Sequence, residues 1–278
     1  MKYNFIFSLI ATTFVITGCT TTKSIKYPVH GQNTTISVSS EQISAMTESG
    51  AGDYFISDSQ ITVGDASKAT SNPAASAFGL IGMGIATAIE KNTNASAISK
   101  SSLKQAIKFD DLTNAKINQA QVEHTVDPSL KILAINQASE IKVVPYARIS
   151  FKETPLVSVN FGLKTEFKNS ASNQSSAKRF YSYMSKTSVP LSEWDSSNNA
   201  LFNQKADQAF NALAKAFILD AQHQLNLSVF SETKQKTCQN NKDGQNLSFL
   251  EVPEDICIGV LKDKKGKTFE GLLFVVEQ

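Results

Sequence analysis

Apolar and polar positions alternate most regularly between Val157 and Phe167. Val157, Val159, Phe161, Leu163, Thr165 and Phe167 fall on one side; Ser158, Asn160, Gly162, Lys164 and Glu166 fall on the other. A period of two marks a strand with one buried and one wet face. Upstream, IKVVPYARISF (Ile141 to Phe151) reads as a second strand, with Pro145 pointing to an edge or a bulge. Glu153-Thr154-Pro155 turns between the two, which predicts an antiparallel hairpin. Arg179 to Val189 resumes the strand pattern, Tyr181 and Tyr183 on one side and Phe180 and Met184 on the other, and would complete a three-stranded meander.

The period then changes. Phe202, Ala206, Phe210, Leu213, Phe217 and Ala221 recur at three- and four-residue steps, while Gln204, Lys205, Gln208, Asn211, Lys215 and Gln222 occupy much of the opposite face. This predicts a long amphipathic helix, with Asp195 to Asn199 offering N-caps and its phenylalanines laid on the sheet. The single Trp194 just before it fits a packing anchor better than a sugar platform. Strand content returns at Leu247–Val252, Ile256–Leu261 and Thr268–Val276, with Lys264-Lys265-Gly266-Lys267 as a hairpin turn. Earlier, Thr34–Val38 and Tyr54–Val63 read as strands. A short helix is expected through Leu103, Ala106 and Ile107, and weaker helical spacing runs from Asn114 to Val122. The pattern as a whole is α+β: an antiparallel sheet packed by the long helix and by a second, Gly/Ala-rich helix.

That second helix is expected in NPAASAFGLIGMGIATAIEK, residues 72–91, which carries no charge from Pro73 to Ile89. Glycine in a helix costs up to about 1 kcal/mol, so close backbone packing must compensate at Gly79, Gly82 and Gly84. Three readings stand for this stretch: a helix buried in its own domain, a self-association surface, or a membrane contact.

At the start of the chain, Lys2 precedes an apolar run from Phe5 to Ile16. A helix of that length spans about 18 Å, well short of a bilayer core, so a cleaved export signal fits better than a membrane span. Ile16-Thr17-Gly18-Cys19 resembles the lipobox of bacterial lipoproteins. The resemblance implies that residues 1–18 are removed, that Cys19 becomes the first residue, and that it receives a diacylglycerol thioether and a further acyl chain. Thr20, where aspartate would imply retention at the inner membrane, implies the outer membrane. Multiple acyl chains anchor stably where one does not. Residues 19–33 then read as a polar tether and 34–278 as one periplasmic domain, with a sub-boundary near 92–102. The overall layout resembles that of Gram-negative envelope lipoproteins.

Composition sharpens this. Loss of residues 1–18 leaves 260 residues and lowers the formal charge from +2 to +1. Nothing resembles the basic footprint of a nucleic-acid binder. Lys262, Lys264, Lys265 and Lys267 form the one dense basic cluster, read as a solvated hairpin tip with anionic lipid or glycan as the alternative. With Cys19 acylated, Cys238 and Cys257 remain as a disulfide pair for an oxidising compartment.

Chemistry is sparse. The chain has no GxSxG, P-loop, Rossmann fingerprint or HExxH. Of the three histidines, His30 lies in the tether, His223 on the polar side of the long helix, and His124 in Glu123-His124-Asp127, where an acid–base or metal role competes with a solvated loop. Asp110-Asp111 and Glu251/Glu254/Asp255 are carboxylate groups of ordinary surface type. No catalytic residue, metal or cofactor is assigned. The function expected is an envelope interaction protein that holds a protein partner or a second copy near the membrane. The alternatives are a lipid or glycan carrier and, third, an envelope hydrolase.

Overall fold

The computed structural model describes residue 27 and residues 33–41, 54–55, 59–65, 97–98, 100–105, 108–124, 129–151, 156–167, 177–238, 247–252, 256–263 and 265–277. The 73–89 stretch with Gly79, Gly82 and Gly84, the 1–18 segment and Cys19 lie outside them.

The described residues form an α+β domain around one large mixed sheet. Its strands are β1 (Thr34–Val38), β2 (Tyr54–Phe55), β3 (Ile61–Asp65), β4 (Leu130–Ile132), β5 (Ile141–Phe151), β6 (Leu156–Phe167), β7 (Ala177–Met184), β8 (Ser188–Pro190), β9 (Leu247–Phe249), β10 (Cys257–Lys262) and β11 (Thr268–Val276). The helices are α1 (Phe109–His124), the single turn α2 (Leu191–Trp194), α3 (Ala200–Ala221) and α4 (Glu232–Thr237). The sheet runs β2-β3-β5-β6-β7-β11-β10-β9. β1 lies beside the start of β5 and carries β4, and β8 pairs with the start of β6.

The expected meander is present: β5 and β6 pair antiparallel from Ile141↔Phe167 to Phe151↔Val157, and β6 and β7 from Phe161↔Tyr183 to Phe167↔Ala177. β10 also pairs antiparallel with β9 and with β11, as the expected hairpin requires, but the antiparallel expectation fails at four pairings. β1 is parallel to β4 and β5, β3 to β5, and β7 to β11. Each parallel pair needs a long crossover. For β7 and β11 that crossover contains α3, which crosses one face of the sheet before the chain returns. Tyr54–Val63 is likewise two strands, β2 and β3, paired antiparallel. The two expected helical pieces near residues 103–122 are instead a 3-10 turn, Ser102–Gln105, followed by one 16-residue helix, α1.

The core lies between the sheet and the helices α1 and α3. Phe109 of α1, Phe161 of β6 and Phe202 and Phe210 of α3 cluster with ring centroids 5.5–6.2 Å apart. Each such ring, fully buried, contributes roughly 1.5–3 kcal/mol. Trp194 is fully buried against Phe202, and its indole N–H donates to the Val157 carbonyl at 2.9 Å. It is the anchor the sequence suggests. A smaller apolar cluster, with Phe249, Leu272 and Phe274, occupies the opposite face of the sheet near Cys238 and Cys257.

Both ends of α3 depart from simple capping. The expected side-chain N-cap is absent; Ser197, Asn198 and Asn199 all take left-handed φ, at 50°, 55° and 60°. Ser102 holds this turn: its backbone N–H and hydroxyl donate to Asp195 Oδ1 at 2.8 and 2.5 Å, and its hydroxyl lies 2.6 Å from Asn199 Oδ1. At the other end Gln224 N–H donates to the Leu219 carbonyl and His223 N–H to that of Asp220, with His223 left-handed at φ 58°. This is a Schellman closure with histidine where glycine is usual.

Candidate functional site

Two inward positions carry opposite charge. Arg179 shares its side of β7 with Tyr181, and Asp220 sits on the buried face of α3 beside Phe217. They meet between sheet and helix as a buried ion pair through Arg179 Nη1 and Asp220 Oδ2, at 3% and 7% side-chain exposure. The Tyr181 hydroxyl donates to the same carboxylate oxygen at 2.5 Å. Having one proton, Tyr181 must then accept from Tyr27, whose hydroxyl is 2.8 Å away. Thr165 completes the group, 3.3 Å from the Tyr27 hydroxyl and donating to the Arg179 carbonyl at 3.2 Å. The Arg179 guanidinium also stands over the Tyr27 ring, 5.7 Å from its centroid.

The electrostatics follow from enclosure. Burial, reinforced by the Asp220 charge, raises both tyrosine hydroxyls well above the ordinary phenol range, so they stay protonated donors. Burial opposes the charge on Arg179, but Asp220 outweighs it and the guanidinium is held more firmly charged than usual. The cluster is therefore a fixed chain of donors running from Tyr27 through Tyr181 to Asp220.

Tyr27 is the unexpected member. It belongs to the segment read as a free tether, yet it is 4% exposed and packs edge-on against Phe217 at 6.5 Å. The body therefore grips the chain at Tyr27, eight residues after Cys19 and inside the stretch expected as a tether.

Of the other sequence candidates, Cys238 and Cys257 come together, with Cα atoms 5.6 Å apart and sulfurs at bonding distance. The bridge ties the end of α4 to β10. His124 Nε2 is 3.7 Å from Glu123, while Asp127 and His30 lie outside the described residues. His223 is exposed. Asp110 accepts from the Ser40 hydroxyl, Asp111 and Glu251 are exposed, and Glu254 and Asp255 lie outside the described residues. Among the described residues no three or more His, Cys, Asp or Glu side chains gather to hold a metal ion, and no described helix is long and apolar enough to cross a membrane.

A shallow hollow of about 260 Å³ opens where β1 ends, lined by Ser37, Ser39, Asn136, Gln137, Ser139 and Lys142. Asn136 is left-handed at φ 63°; its side-chain oxygen accepts from Ser40 N–H at 2.8 Å and its amide donates to the Ser40 hydroxyl at 3.0 Å. Lys142 is paired with Glu41. Hydroxyl and amide groups share the lining about equally with apolar atoms. No protein-family model, no curated protein and no solved structure matches this chain.

Proposed function

We propose that the chain is an acylated lipoprotein of the outer membrane, facing the periplasm, whose α+β body is an interaction module held close to the lipid surface. The observation that carries this reading is the pairing of Ile16-Thr17-Gly18-Cys19 with Tyr27, buried in the core only eight residues later. A lipid on Cys19 and a docked Tyr27 leave a leash of at most about 28 Å when fully extended. Such a leash suits a protein that presents its body, and a partner, close to a membrane. The Cys238–Cys257 bridge supports an oxidising compartment. Arg179 and Asp220 neutralise each other inside the fold, which supports a packing and tether-docking role for this cluster. The hollow, small and lined partly by hydroxyls and amides, supports as a second reading a small hydroxylated ligand.

The test is fractionation of the chain expressed with its own leader. The native protein should sediment with the outer membrane and resist extraction by high salt, and Cys19→Ser should lose that outer-membrane anchoring. Crosslinking in the intact envelope should then capture a protein partner or a second copy through the folded body. Equal anchoring of native chain and variant would refute the acyl anchor.

A further inference from the structure

The direction of the strands sets what lies at each end of the sheet. β5 starts and β6 ends at one end, where Ile141 faces Phe167; β7 starts there too, at Ala177. β11 runs parallel to β7, so the β10–β11 hairpin tip projects beyond this same end. The docked Tyr27 segment belongs here as well. Tyr27 docks on Thr165, Arg179 and Tyr181, and the chain enters β1 from this end at Thr34, two residues before Ile36 meets Ile141. Tyr27 and the lysine hairpin thus share one end, while the turn with Lys186 after β7 lies at the other.

The tip is built to present its lysines. Gly266 takes φ 79°, and Asp263 is held within the turn, its carboxylate accepting from the backbone N–H of Lys265 and of Lys267 at 2.8 Å each. The side chains of Lys265 and Lys267 are exposed and in no ion pair among the described residues, whereas Lys262 folds back over the Phe230 ring at 3.5 Å. Glu270 is the exposed carboxylate beside them; the stretch Lys262–Glu270 keeps a net positive charge. Leu272 is in register with Phe180, and Lys267 is five residues further out. At strand spacing that is about 17 Å beyond the Tyr27 cluster, inside the roughly 28 Å reach of the leash. The tip can therefore meet the surface before the leash is taut.

We infer that the tip of the β10–β11 hairpin, through Lys265 and Lys267, is a second membrane contact, binding the anionic head groups of the bilayer in which the Cys19 lipid is anchored. The inference rests on the acyl-anchor reading above. Lipid plus basic residues is a combination that fixes orientation as well as attachment, and each lysine near an anionic surface strengthens binding about fivefold at moderate salt.

The experiment is amine footprinting of the full chain, expressed with its own leader and reconstituted into vesicles of phosphatidylcholine alone or mixed with phosphatidylglycerol. Flotation at ~1 M salt, where surface charge is screened, first reads the acyl anchor. Lys265 and Lys267 should then label roughly fivefold more slowly on phosphatidylglycerol vesicles at low salt, regain full labelling at ~1 M salt, and Lys186 should not change. A chain that floats but labels identically on both vesicle types overturns the hairpin contact alone. A chain that does not float overturns the anchor, and the inference with it. Equal protection of Lys186 would overturn the orientation, and protection by a soluble anionic polysaccharide in place of vesicles would assign the tip to glycan.

Discussion

Removing the hydroxyl of Tyr27 tests its docking directly. In Tyr27→Phe the ring keeps its contact with Phe217, but Tyr181 loses the donor 2.8 Å from its oxygen. One buried neutral hydrogen bond is worth about 1 kcal/mol. Tyr181→Phe should cost more, ~1.5–2 kcal/mol, because it strips a donor from the Asp220 carboxylate while Arg179 remains. Asp220→Ala should cost ~3–5 kcal/mol, since it strands a guanidinium that is almost wholly enclosed. Replacing Arg179 and Asp220 together by Met and Leu should recover most of that loss. The assays are urea unfolding followed by circular dichroism and tryptic cleavage at Lys26. Where cleavage follows local undocking of Tyr27, 1 kcal/mol makes it about fivefold faster in Tyr27→Phe. An unchanged cleavage rate in both Tyr27→Phe and Tyr27→Ala would show that Tyr27 is not docked, and the short leash would fall with it.

Three further outcomes follow from the packing. A Cβ at Gly162 would meet the Tyr146 ring, with the Tyr146 hydroxyl oxygen 2.6 Å away; Gly162→Ala should lose ~1–2 kcal/mol in chemical denaturation, and Tyr146→Ala in that background should relieve it. Burial opposes ionisation of Glu277, but its bond from Lys205 Nζ at 2.6 Å outweighs this and lowers its pKa below the ordinary 4.5. Its stabilisation is therefore full above that value and lost as the pH falls through the lower folded pKa, so Glu277→Gln should flatten the acid limb of a melting-temperature profile. Reduction of Cys238–Cys257, which spans a sequence separation of 19, should cost ~3 kcal/mol in the chain-entropy account, read as a lower urea midpoint under reductant.

The parts legible in the sequence are those where one element carries its own signal. The β5–β6 hairpin shows because its period of two is unbroken, and α3 because phenylalanine recurs at helical spacing. α1 hides because its buried stripe is Phe109, Thr113, Ile117 and Ala120, two of which are small or polar. Strand direction hides because local periodicity is the same for parallel and antiparallel neighbours, so the β7–β11 and β3–β5 pairings carry no mark along the chain. The Arg179–Asp220 site was within reach: each is an opposite charge at an inward position of an otherwise apolar pattern, 41 residues apart. Tyr27 left a fainter sign, a lone aromatic in the polar run TTTKSIKYPVHGQN. Docking depends on Thr165, Arg179 and Tyr181, more than a hundred residues away, which no local pattern announces.

The most direct test of the account is the mass of the N-terminal peptide of the native protein taken from its own membranes. Acylation predicts that the chain begins at Cys19, with a diacylglycerol thioether on its sulfur and a further acyl chain on its amine. A chain that still begins at Met1, or a Cys19 without attached fatty acid, would contradict it.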